Sequence, residues 1–141
     1  MAYCTLEDLL GQAPAETLVR LTDDEETGAI NQARVDEAIQ NAGAEIDAYA
    51  QARLPVPFNP VPTMIRKLAI DIALYNLFAR RGIEKDSNDE IVAARYQRAV
   101  AFLENLAKGL VTIGQPSPPP QQTVRIDNPE RKFIRSQLEG F

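Results

Sequence analysis

The stretch PTMIRKLAIDIALYNLFARRG, residues 62–82, decides the fold of this 141-residue chain. Its apolar side chains recur every three or four positions and occupy two helical faces. One face carries Ile65, Leu68, Ala69, Ile72 and Phe78, and the other carries Ile70, Leu74 and Leu77. Pro62 is typical of a first helical turn and Gly82 of a helix end. The stretch therefore predicts a helix from Pro62 to Arg81 that is central to a bundle or shared between subunits. Asp71 interrupts its apolar surface, and we expect it to pair with Lys67 or with an arginine of a neighbour.

The helix before this stretch is predicted from Asn31 to about Arg53. Asn31 can cap it, and its apolar positions alternate between steps of four and three. They are Val35, Ile39, Ala42, Ile46 and Tyr49.

Prolines separate these two helices and define a structural joint, residues 53–62. Pro55, Pro57 and Pro62 interrupt regular structure there. We expect Arg53 to fasten the joint by donating hydrogen bonds to carbonyl oxygens rather than to bind DNA. We assign Asp71 to the same structural set.

Two further helical regions complete the predicted domain, residues 1–114. Near the start, Thr5 and Asp8 resemble a capping box, and a turn or two of helix follows Pro14. Ser87 and Glu90 predict a second capping box, for a last helix that ends near Lys108. The fold class is therefore all-α, a small bundle of about four helices.

Residues 115–141, the C-terminal arm, differ from the rest in composition. The spacer prolines are Pro116, Pro118, Pro119 and Pro120, which favour an extended and stiff chain. Apolar and basic residues follow it: Arg131, Phe133, Ile134, Arg135, Leu138 and Phe141. Because apolar groups stand at the far end of a stiff spacer, we expect these residues to dock on a partner or a sister subunit. The alternative is an end of the chain with incidental apolar residues.

The composition removes most catalytic chemistries. The chain has no histidine and one cysteine, so the commonest general base and metal ligand are absent and no internal disulfide can form. The acidic loop that starts at Asp23 is a poor calcium site, because Arg34 falls where a bidentate glutamate is required. We predict no enzymatic activity, no cofactor and no metal site.

Charge is distributed unevenly along the chain, whose net charge is −5. Residues 1–53 carry 11 acidic and 3 basic side chains, residues 54–114 carry 6 and 8, and the arm carries 3 and 4. Such a dipolar distribution favours stacking of like subunits, although a solvated surface is the simpler explanation. The sequence has neither a membrane-length apolar run nor a signal-peptide pattern, so we expect a soluble product of the cytoplasm with no membrane partner.

Several segments together resemble a family of Mu-like phage and prophage neck proteins. They are residues 44–49 (AEIDAY), 53–57 (RLPVP), 61–62 and 65–75 (IRKLAIDIALY), with Tyr3, Thr5, Leu6, Asp8 and Leu9 at the start, residues 21–23 and Gly28 after them, and Phe133, Arg135, Leu138, Gly140 and Phe141 at the end. The order and spacing carry the resemblance, since no single segment is diagnostic. Leu54 departs from the pattern, where an aromatic residue is more usual, as does the charged loop 82–87.

The resemblance implies a head–tail connector, an adaptor subunit of a tailed-phage neck located in the virion and assembled in the host cytoplasm. Such proteins form a ring, typically a dodecamer, below the portal protein. They contact a stopper or tail-terminator protein downstream, and the genome passes through the ring without sequence-specific binding. A net acidic channel wall suits that passage, because each phosphate contact would add drag.

Two other roles remain open from the residues. One is a tail-completion or stopper protein that binds tail components rather than the portal. The other is a small adaptor module that binds a host protein through residues 133–141.

Overall fold

The computed structural model describes residues 2–113, which form five α-helices and no β-strand. Their bounds are Leu6–Leu10 (α1), Ala15–Thr22 (α2), Gln32–Ala50 (α3), Thr63–Arg81 (α4) and Asp89–Ala107 (α5). The prediction of an all-α bundle is confirmed. The turn or two expected after Pro14 is an eight-residue helix, α2.

Helix α4 occupies the centre of the domain, as its two apolar faces predicted. It packs against each of the other four helices, and α3 also packs against α5. The buried residues of α4 come from all sides of the helix: Ile65, Leu68, Ala69, Asp71, Ile72, Ala73, Leu74, Leu77 and Phe78. A helix with apolar side chains all round its axis is stable in water only when neighbours cover it.

The starts of α1 and α3 follow the predicted capping chemistry. Thr5 and Asp8 form a reciprocal capping box at α1. At α3, the Asn31 side chain accepts hydrogen bonds from the backbone N–H groups of Ala33 and Arg34. The side-chain oxygens of Thr5 and Asn31 thus satisfy backbone N–H groups that have no partner within the helix.

Three predicted helix boundaries differ from the structure. Helix α3 ends at Ala50 rather than near Arg53, because residues 51–54 turn into the joint. Pro62 precedes α4 as its N-cap residue instead of occupying the first turn. Ser87 is also displaced from the predicted cap, since the first residue of α5 is Asp89.

The contacts before α5 explain that displacement. The Ser87 hydroxyl accepts from the Asp89 N–H and donates to the Glu84 carbonyl oxygen, while the Glu90 carboxylate accepts from the Asp86 N–H. The Glu90 side chain thus accepts a backbone N–H as in a capping box, but that N–H belongs to Asp86 instead of Ser87.

The C-terminal arm lies outside the residues that the structure describes, so the division into residues 1–114 and 115–141 stays a prediction. Within residues 2–113, none of the helices combines the length and the apolar character needed to cross a bilayer.

Candidate functional site

The joint, residues 53–62, has side chains that alternate between solvent and core. Arg53, Pro55 and Pro57 are exposed, whereas Leu54 and Val56 are half-buried against the core. Phe58 completes the alternation and is only 1% exposed. Pro55 and Pro57 thus lie on the solvent side, where a missing N–H removes no internal hydrogen bond.

Tyr3 ties the joint to α3 from inside the core. Its hydroxyl donates to the Asp47 carboxylate and accepts a hydrogen bond of 3.1 Å from the Phe58 N–H. The rings of Tyr3 and Phe58 meet edge to face, with centroids 5.7 Å apart. Burial, together with the bond to Asp47, raises the pKa of Tyr3 to about 12. One phenol thus satisfies a buried N–H and connects the N-terminus, α3 and the joint.

The guanidinium of Arg53 connects the joint to the end of α5. Its Nη2 donates to the carbonyl oxygen of Lys108 over 3.1 Å, so the carbonyl contact expected of Arg53 is present, at α5. Gly109 follows with φ +77°, and the N–H groups of Gly109 and Leu110 turn back to the carbonyl oxygens of Leu106 and Asn105. This Schellman ending combines with a cation at the negative end of the helix dipole.

Gly109 is required at this point for two reasons. The backbone is in the left-handed conformation, which L-residues rarely adopt. A Cβ at this position would also lie 2.8 Å from the guanidinium carbon of Arg53. Leu110, the next residue, is 72% exposed. Helix α5 therefore ends beside the joint, and the chain then passes through exposed Leu110 to Val111 and Ile113, which pack half-buried against the core at the end of the described structure.

Asp71 lies apart from the joint, in the first half of α4. Its carboxylate, nearly buried, pairs with Lys67 at 3.0 Å, as predicted. Asp71 and Lys67 line a cleft of about 340 Å³ together with Gln12, Thr63, Arg66, Ile70 and Arg95. We call this the basic cleft, because it has three cations and one carboxylate.

The loop between α2 and α3 is held by its first two aspartates. The Asp23 carboxylate accepts hydrogen bonds from the backbone N–H groups of Thr27 and Gly28 and from the Thr27 hydroxyl. The Asp24 carboxylate contacts Arg80, Arg81 at 3.1 Å and Arg34 at 3.7 Å. These contacts lower the pKa of both aspartates, that of Asp24 chiefly through the hydrogen bond from Arg80.

A tyrosine pair links the three long helices on another side. Tyr75 of α4 stacks on Tyr96 of α5 with centroids 3.9 Å apart, and the Tyr96 hydroxyl donates to Glu45 of α3 over 2.8 Å. Burial and this bond raise the pKa of Tyr96 to about 12. Both rings are half-buried, which suits a structural role.

Reactive groups are few among residues 2–113. Burial raises the pKa of the Cys4 thiol to about 11, so at neutral pH it stays protonated and a poor nucleophile. In the same residues no group of three or more metal-ligating side chains is gathered.

The structure thus brings Arg53, Pro55, Pro57 and Pro62 together at one end of the domain and leaves Asp71 elsewhere. The predicted docking residues of the arm, and its spacer prolines, lie outside the described residues. Sequence reasoning missed Phe58 and the role of Tyr3. The alternation Leu54, Val56, Phe58 could have indicated that Phe58 is buried. The contacts of Tyr3 span 44 and 55 residues and follow no local pattern.

Known proteins are similar to this chain across the whole region described above. A model of the family "Bacteriophage Mu, Gp36" matches residues 3–127. The "Mu-like prophage FluMu protein gp36" of Haemophilus influenzae is 27% identical over 112 residues, which cover 79% of this chain and 75% of that protein. "Gene product J" of Escherichia phage Mu is 26% identical over 147 aligned positions, covering 100% of this chain and 99% of that protein. The matched region includes α1 to α5 and the joint, and the chain therefore belongs to the bacteriophage Mu Gp36 family.

Proposed function

We propose that this protein is a structural head–tail connector subunit of a Mu-like phage neck. In this role it forms a ring below the portal protein, of twelve copies as is typical of the connectors it resembles, and bridges the portal to a stopper or tail-terminator protein. The comparisons establish the family, which is one of phage Mu proteins. The place of this chain in the phage particle is what we propose.

The observation that carries the proposal is the position at which the described chain ends. Arg53 fixes the end of α5 beside the joint, and Val111 and Ile113 hold the last described residues against the core. A chain that leaves a rigid point can present the arm to a neighbouring molecule in a defined direction. The arm then supplies docking residues at the end of its proline spacer, of which Phe133 and Phe141 are the largest.

The distribution of charge supports a ring through which DNA passes. The first 53 residues carry most of the acidic side chains, and a wall that is acidic repels the phosphate backbone instead of binding it. Non-specific passage is the expected behaviour of the genome in this channel.

Truncation of the arm in the phage or induced prophage that encodes the chain tests the proposal. A stop codon after residue 114 should leave a folded helical domain, measured by circular dichroism, but yield filled heads and free tails that do not join. The double variant Phe133→Ala/Phe141→Ala should weaken joining, because buried aromatic residues at an interface contribute about 1–3 kcal/mol each when they are hot spots.

A matched control changes two polar residues of the arm, Gln121→Ala/Gln122→Ala, and should leave joining intact. Infectious particles assembled by the truncated chain would disprove the docking role of the arm. Binding to tail proteins with none to purified portal would indicate the stopper or tail-completion role. A chain absent from purified virions would contradict the connector role itself.

A further inference from the structure

The basic cleft holds more positive charge than the domain neutralises. Lys67 is paired with Asp71, but within residues 2–113 no carboxylate lies within 4 Å of Arg66 or Arg95. Arg66 is exposed and Arg95 half-exposed, and the half-buried Ile70 lines the same cleft. Two unneutralised guanidinium groups beside an apolar side chain suit a ligand that presents two carboxylates.

A group of that chemistry stands at the far end of the same domain. Glu25 and Glu26, which we call the acidic tip, are exposed in the loop between α2 and α3, and no cation of residues 2–113 lies within 4 Å of either. The tip projects from a loop whose preceding residues, Asp23 and Asp24, are held by the contacts described above.

The distance along α4 prevents the tip of one molecule from reaching its own cleft. The loop that carries the tip contacts Arg80 and Arg81 at the C-terminal end of α4, whereas Arg66 lies in the first turn. These positions are separated by about 21 Å, from the helical rise of 1.5 Å per residue. The tip and the cleft can therefore meet only between two molecules.

We propose that the acidic tip of one copy of this chain occupies the basic cleft of the next, and that this contact joins neighbouring subunits. The exposed acidic tip then enters the basic cleft, with its two carboxylates facing two guanidinium groups. Because the two surfaces differ, each copy keeps one free tip and one free cleft, and repetition of the contact gives a ring when the rotation closes. The inference rests on the proposed ring and names the contact within it.

Charge reversal in the full-length chain tests this contact by analytical ultracentrifugation. Wild-type protein should self-associate at about 0.05 M salt and dissociate progressively toward about 0.5 M, since exposed ion pairs are screened. Arg66→Glu/Arg95→Glu and Glu25→Lys/Glu26→Lys should each weaken self-association by about tenfold or more, because like charges then face each other.

Mixing the two variants separates this contact from general effects of charge. In the mixture, the wild-type tip of the first variant meets the wild-type cleft of the second, and the two reversed surfaces meet each other. Mixed oligomers should therefore recover, as should oligomers of a single chain that carries all four substitutions. Control variants with the same change in net charge, Arg20→Glu/Lys85→Glu and Glu16→Lys/Glu104→Lys, alter exposed residues without ion-pair partners in residues 2–113 and should associate as wild type does.

Three results would overturn the inference: a wild-type chain that stays monomeric at low salt, reversal variants that associate normally, or a mixture that does not recover. None of these results depends on the connector role, which virion content and head–tail joining test separately. Conversely, salt-sensitive oligomers with the expected rescue would stand even if the protein were absent from the neck.

Discussion

The joint and the loop between α2 and α3 both connect helices, but different forces hold them. The joint is fixed by burial, with Phe58 and Tyr3 almost fully enclosed and hydrogen-bonded to each other. The loop is fixed by charge, with the exposed carboxylate of Asp24 among three arginines. Burial is insensitive to salt and expensive to disrupt, whereas exposed ion pairs are weak and screened.

The two ends of the domain are therefore suited to different roles. The joint is a fixed structure beside which α5 ends, held there by Arg53. The loop keeps charged groups in water, where they can exchange partners at little cost. Substitutions at the two ends should therefore differ both in the size of their effect and in its dependence on salt and pH.

Phe58→Ala should have the largest effect. It removes a fully buried aromatic ring and leaves a cavity next to Tyr3, so we expect the free energy of unfolding to fall by about 3–5 kcal/mol in urea denaturation. Gln51→Ala, at an exposed position just before the joint, should change it by less than about 0.5 kcal/mol. Equal effects of the two substitutions would show that burial does not hold the joint.

Tyr3→Phe tests the hydrogen bonds of the joint without removing the ring. The Phe58 N–H and the Asp47 carboxylate would lose their shared hydroxyl, which should lower the free energy of unfolding by about 1–3 kcal/mol. Tyr96→Phe is the matched control, since it removes a half-buried hydroxyl whose one protein partner is Glu45 and leaves no buried N–H unpaired, and we expect the smaller loss there.

Tyr3→Phe also tests how the stability of the protein responds to alkaline pH. The folded-state pKa of Tyr3, about 12, lies above the ordinary tyrosine value of 10.0, so the native state retains a proton that the unfolded chain releases. The stability contributed by this group is fully present below pH 10 and is lost as the pH rises toward 12. Tyr3→Phe should flatten that decline, with a residual slope from Tyr96. An unchanged slope would contradict the assignment.

Gly109→Ala should have an intermediate effect, about 1–2 kcal/mol, because an L-residue is strained in the left-handed conformation. The new Cβ would also displace the Arg53 guanidinium from the Lys108 carbonyl oxygen. Thermal denaturation of Gly109→Ala, Arg53→Ala and the double variant measures how strongly the two positions are coupled. Additive losses would show that Arg53 and Gly109 act independently.

Asp24→Asn should have the smallest effect at neutral pH, and high salt should remove it. The folded-state pKa of Asp24 lies below its ordinary value of 3.8, so its contribution is present above that pH and is lost as the pH falls through the lowered value. Acid titration of stability should therefore be flatter in the variant. Glu25→Gln, at a carboxylate without a partner in residues 2–113, should match wild type.

The helices could be predicted from the sequence because their information is local. The apolar period of residues 62–82, the Asn31 cap and the Thr5–Asp8 box each act within one or two turns, and the structure confirms all three. The Lys67–Asp71 pair was predictable for the same reason. The predicted Ser87 cap was misplaced by one residue, since the N-cap of α5 is Asn88, and the Ser87 and Glu90 side chains accept from the N–H groups of Asp89 and Asp86 instead.

The long-range contacts that define the candidate sites had no local pattern. Arg53 could be assigned a carbonyl partner, but its position 55 residues away at Lys108 depends on how α5 returns along α4. The basic cleft likewise joins residues from the turn after α1, from α4 and from α5.

By itself, then, the sequence determined the all-α class, the central helix and the acidic character of the first 53 residues, since composition and helical periodicity are properties of neighbouring positions. Only the tertiary structure decided that Tyr3 meets Phe58, that α5 ends beside the joint, and that the acidic tip and the basic cleft lie at opposite ends of α4. Packing brings distant segments together to bury apolar surface, and that choice depends on the whole core.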